Sequence, residues 1–73
     1  MDGKEKEVDA RGLTCPLPVI ETDKVLRELK EGTVITIVDN AAARDNVKRL
    51  AESSGCTVSI ENKGGDYYLT ITK

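Results

Sequence analysis

The sequence predicts an α/β fold of the α+β two-layer sandwich kind: order β-α-β-α-β-β, a mixed four-stranded sheet, and two helices on one face. Three observations carry this. Two stretches, Pro16 to Lys30 and Ala41 to Ser53, repeat their apolar residues at helical spacing. The run Thr33-Val-Ile-Thr-Ile-Val38 is dense in β-branched residues, which favour the pleated surface of a strand. From Cys56 to Thr72 the pattern alternates with period two, interrupted once by Gly64-Gly65.

Each element follows from its residues. Seventy-three residues make one small domain with a thin core, since a chain of this length buries only about 60% of its unfolded surface. Residues 1–6 are charged and read as a disordered lead-in, leaving 7–73 as the single domain. Glu7 to Ala10 is a short strand. Helix one is expected from Pro16 to about Lys30: proline suits a first helical turn, where its missing N–H would have no partner anyway, and Gly32 stands just past the end. Val19, Thr22, Val25, Leu26 and Leu29 form its core stripe, while Leu17 and Ile20 fall on another side with Lys24 and Arg27. Thr33 to Val38 reads as a central strand buried on both faces, parallel to the first because a helix joins them.

Asp39 and Asn40 offer N-cap chemistry for helix two, whose stripe is Ala43, Val47, Leu50, Ala51 and Ser54, with Gly55 closing it. Asn46 and Arg49 lie off that stripe and read most simply as solvated, the other reading being that they line the site near Cys15. Cys56, Val58 and Ile60 then share one strand face, as do Tyr67, Leu69 and Ile71 on the next, and Lys63-Gly-Gly-Asp66 is the hairpin turn between them. Cys56 is therefore expected in the core.

Composition removes several function classes. Eleven basic and thirteen acidic residues give a net charge of −2, and there is no Trp or Phe, so direct nucleic-acid binding is not expected. No run approaches the roughly 18 apolar residues a membrane span needs, and the charged start is unlike a secretory signal, so no membrane partner is expected and the cytoplasm is the default location. With no His and only two Cys there is no metal site or Cys-His protease, and no cofactor is expected.

What remains is Arg11-Gly-Leu-Thr-Cys-Pro-Leu-Pro18. A helix beginning at Pro16 makes Cys15 its N-cap, where unpartnered first-turn amides and their partial positive charge favour a thiolate. Cys15 is then the candidate catalytic residue. Pro18 removes one donor, leaving the amides of Leu17 and Val19, and Arg11 could add a cation across the Gly12 bend. On local features alone, a cysteine before a proline is as readily a small apolar filler. Leu17 and Ile20, with Lys24 and Arg27 below them, would suit docking to an acidic-rimmed partner; the other reading tucks them under the preceding loop.

Val8-Asp-Ala-Arg-Gly-Leu-Thr-Cys-Pro-Leu-Pro-Val-Ile20 resembles the signature of the TusA/SirA-like family of small sulfur carriers, in which the cysteine of Cys-Pro-X-Pro bears a persulfide. Val38-Asp-Asn-Ala-Ala-Ala-Arg-Asp-Asn-Val47 and Ala51-Glu-Ser-Ser-Gly55 extend the likeness toward the YedF-type branch, which is associated with selenium metabolism. The resemblance implies a sulfurtransferase-like carrier, counted as an enzyme only if it turns over alone. Its persulfide would sit on Cys15, supported by Arg11, Gly12, Pro16, Leu17, Pro18 and Val19. The implied partners are a sulfur donor of cysteine desulfurase or rhodanese type and a sulfur acceptor such as a DsrE-like domain. Carriers that feed tRNA thiolation resemble Cys-Pro-Glu-Pro, and Leu17 departs from them. YedF-like proteins carry a DsrE-like domain after this one, so the chain reads as an N-terminal domain. A non-catalytic module docking through Leu17 and Ile20 is the alternative, and a Cys15–Cys56 disulfide would need Cα atoms within about 7 Å.

Overall fold

A computed structural model describes residues 5–13, 17–28 and 31–73. In chain order it contains β1 (Glu5–Asp9), α1 (Leu17–Glu28), β2 (Thr33–Val38), α2 (Ala41–Ser53), β3 (Thr57–Lys63) and β4 (Asp66–Thr72). One mixed sheet runs β1-β2-β4-β3, with β1 parallel to β2 and the other two pairings antiparallel. The helices pack against each other and over one side of this sheet. β1 starts at Glu5, two residues earlier than the sequence pattern marks it, because its backbone pairs with Thr33 and Val34 whatever the side chains are.

The core lies between the layers. Val8 of β1 and Ala10 just past its end, Val34 and Val38 from β2, and Leu69 and Ile71 from β4 meet Leu26 of α1 and Ala43, Val47 and Ala51 of α2. Each large side chain fully buried there contributes roughly 1.5–3 kcal/mol. Thr22 and Thr36, both buried, satisfy one another through a 3.1 Å hydroxyl pair that ties α1 to the middle of β2. Pro18, Thr22 and Leu26 are the buried ridge of α1, with Val19 and Val25 half-buried beside it. Leu29 lies outside the described residues.

Three details depart from the sequence expectations. β2 is shielded along its whole length on one face only: Val34, Thr36 and Val38 face the helices and are buried, while on the other face Ile37 is buried and Thr33 and Ile35 are half-buried. Ser54 leaves the α2 stripe and is exposed, because it is the C-cap. Gly55 follows with φ +84°, its N–H bonding the Glu52 carbonyl at 3.0 Å while the Cys56 N–H reaches the Ala51 carbonyl at 2.9 Å. That pair of bonds is the Schellman closure, which turns the chain back toward the core. Cys56 follows the turn inward and is 9% exposed, as expected of it. Ile60 is 38% exposed, since β3 is an edge strand and the helices do not cover its far end. At the hairpin both Gly64 and Gly65 have positive φ, the requirement of a type I′ turn.

Candidate functional site

The parallel strands β1 and β2 both end at the same edge of the molecule, and the starts of both helices face that edge. Cys15, Pro16 and Thr14 lie outside the described residues, so the site is built from its two flanks: residues 9–13 before it and Leu17 onward after it.

The incoming flank is held bond by bond. The Ala10 N–H donates to the Ile37 carbonyl at 2.8 Å, continuing the ladder one step past β1. The Arg11 N–H donates to Asp9 Oδ1 at 3.2 Å, the Gly12 N–H to Asp39 Oδ2 at 2.8 Å, and the Leu13 N–H to the Ala10 carbonyl at 3.3 Å. Every amide from Ala10 to Leu13 is thus occupied, and none of them is left to bind an anion. Gly12 has φ +80° with open space around its missing Cβ, so glycine is required there by the backbone and not by crowding. Leu13 packs against the core and pins the bend.

Arg11, whose direction the sequence left open, turns toward two carboxylates. Its Nε and one terminal nitrogen grip Asp9 at 2.9 and 2.8 Å, a bidentate pair, and the other terminal nitrogen reaches Asp66 at 3.4 Å. These bonds draw the Asp9 pKa down to about 2 and raise that of Arg11. The guanidinium joins the end of β1 to the start of β4, and its charge is compensated by that pair.

Asp39, which the sequence suggests only for capping, is the residue that holds Gly12. The Gly12 amide is the largest cause of its lowered pKa, and the Asn40 side chain the next. Asn40 is the N-cap of α2: its Oδ1 accepts the Ala43 N–H at 2.8 Å, and its Nδ2 donates to Asp39 Oδ1 at 3.1 Å. A carboxylate at the C-terminal end of a parallel strand is where α/β folds place ligand-binding and loop-holding groups, and that rule was the available signal.

On the outgoing flank Pro18 is buried and Val19 half-buried, while Leu17 and Ile20 are 41% and 48% exposed. Lys24 and Arg27 are exposed on the same side of α1, Arg27 pairing with Asp23 at 2.8 Å. Arg49 stands apart, lining a shallow charged depression along α2 with Asp45, Lys48 and Glu52. Cys56 lies within the core cluster. Among the described residues no group of three or more His, Cys, Asp or Glu could hold a metal ion, and no helix is long and apolar enough to cross a membrane.

Comparison with known proteins adds a consistent set of likenesses. Residues 6–73 match the family model described as sulfurtransferase TusA. A protein of Methanocaldococcus jannaschii named as a candidate sulfur carrier is 38% identical over 69 residues, covering 93% of this chain and 92% of that one. The sulfur carrier protein TusA of Allochromatium vinosum is 27% identical over 71 residues, covering 94% and 93%. A SirA-like protein from Desulfitobacterium hafniense, solved by crystallography, superposes with a TM-score of 0.88 at 37% identity, covering 92% of this chain and 95% of that one.

Proposed function

Because this chain belongs to the TusA family of sulfurtransferases, we propose that it relays sulfur between protein partners as a persulfide carried on Cys15. The observation that carries the reading is the family match, which spans the Cys15-Pro-Leu-Pro18 motif and the whole sheet around it. The flanking geometry supports it: a bend whose amides from Ala10 to Leu13 are all occupied leads into the motif, and α1 begins just after it at Leu17, where the first-turn amides of a helix have no intrahelical acceptor.

The chemistry is an exchange at sulfur. The Cys15 thiolate attacks the outer sulfur of a donor persulfide; the Sγ–S bond forms, the donor's S–S bond breaks, and the donor leaves as a thiolate. Electrons balance without an external oxidant. The Leu17 and Val19 amides would favour the anionic forms, and Pro18 has no N–H to add. An acceptor thiolate then attacks the terminal sulfur and returns Cys15 to the thiolate. Leu17 and Ile20, exposed beside the motif, with Lys24 and Arg27 along the same side of α1, form the docking surface for donor and acceptor. A cysteine desulfurase or rhodanese is the fitting donor class and a DsrE-like domain the fitting acceptor, in the cytoplasm. Selenium can replace sulfur in the same exchange, and the Leu17 departure sets the chain apart from carriers that serve tRNA thiolation.

Incubation with a cysteine desulfurase and cysteine should add one sulfur to the intact mass of the wild-type protein and none to Cys15→Ser. Loading that survives in the Ser variant would overturn the assignment. The exposure of Leu17 and Ile20 equally suits a non-catalytic docking module. That reading predicts a Cys15 thiol near the ordinary value of about 8.5, and pH-dependent alkylation separates the two.

A further inference from the structure

The bond between Asp39 and Gly12 joins residues 27 positions apart across the edge where the motif lies. The bond is solvent-exposed, so the 2.8 Å contact is more informative as geometry than as stability. Three linked bonds set its direction. The Ala43 N–H fixes the Asn40 oxygen, the Asn40 nitrogen fixes one Asp39 oxygen, and the other Asp39 oxygen is thereby aimed at the Gly12 amide. The start of α2 is in this way made the anchor of the segment entering α1. The anchored residue is also the one whose φ of +80° sets the bend, three positions before Cys15.

We propose that Asp39 is a positioning residue for sulfur transfer: its carboxylate clamps the Gly12 amide and so fixes the bend from which the chain enters the Cys15 motif. This rests on the sulfur-carriage reading and deepens it. Asp39 touches neither sulfur nor partner in this role. It acts through the backbone of Gly12, and the Arg11 brace to Asp9 and Asp66 holds the same bend from the β4 side.

The test separates position from charge. Inorganic polysulfide serves as the sulfur donor, at a pH where the Cys15 thiol is fully ionised, so that a changed thiolate fraction cannot alter the rate. Loaded protein is capped with iodoacetamide and read in the tryptic peptide spanning residues 12–24. Asp39→Ala removes the acceptor, and its loading rate should fall by about tenfold or more, the scale on which misplacement lowers reaction rates. Asp39→Asn keeps an oxygen for Gly12 without the charge and should stay within about threefold of wild type, a rescue by the conservative variant. Should Asp39→Ala not fold, Asp39→Ser supplies the same arm, because its shorter side chain cannot reach the amide. Ala51→Gly, a destabilising change in the buried last turn of α2, at the opposite end of the helix from Asn40, should load at the wild-type rate.

Wild-type speed in Asp39→Ala, an Asn variant as slow as the Ala variant, or an equal loss in Ala51→Gly would each overturn the positioning role. Failure of the wild type itself to load would instead bring down the sulfur-carriage reading, and this proposal with it.

Discussion

The Asp9–Arg11 pair shows how a single residue shapes the site. Asp9 ends β1, and its carboxylate takes both the Arg11 backbone N–H and two guanidinium contacts. Its folded pKa of about 2 lies below the ordinary 3.8, so folding favours the charged form. The stability it lends is therefore complete above about pH 4 and disappears as the pH falls toward 2. Chemical denaturation of wild type and Asp9→Asn should show a gap in midpoint that is constant near neutrality and closes between pH 4 and pH 2. A gap unchanged by acid would mean that the brace contributes nothing through its charge. Sequence alone could name Asp9, Arg11 and Gly12 as the lead-in to the motif, but not the direction of the guanidinium or the role of Asp39. Both depend on which strand lies beside β1 and which strand start faces Arg11, and those neighbours are distant in sequence.

Between elements, the joint most exposed to test is the buried hydroxyl pair Thr22–Thr36, which couples α1 to β2 inside an otherwise apolar layer. Thr22→Val alone leaves the Thr36 hydroxyl without its partner and should cost about 1–3 kcal/mol in denaturant unfolding. Adding Thr36→Val removes the stranded group, so the double variant should recover most of that loss. A double variant less stable than either single one would show that the hydroxyls have other partners. The helical pattern put Thr22 on the core stripe correctly, because position on a helix follows from the 100° step. It could not supply the partner, since Thr36 reads as one more β-branched residue in a strand. The same limit explains Ser54: periodicity continues the stripe through it, but the helix ends there in a cap set by the positive φ of Gly55, which leaves Ser54 exposed.

At the scale of the whole molecule, a single helix layer on a four-stranded sheet leaves one side of α1 facing solvent, and Leu17, Ile20, Lys24 and Arg27 occupy it. Leu17→Glu and Ile20→Glu should leave stability within about 0.5 kcal/mol of wild type, as surface changes do, while weakening capture of the loaded protein by a desulfurase. Unchanged affinity in both would remove this surface from the docking proposal. The order of elements, the face of each helix, the hairpin at Gly64-Gly65 and the burial of Cys56 were all determined by the sequence, because each depends on residues within a few positions of one another. The tertiary structure alone decided that β4 lies between β2 and β3, that the open face of β2 is only partly shielded, and that Asp39 meets Gly12. Those outcomes depend on which distant strands become neighbours, and a local repeat of side chains carries no record of that choice.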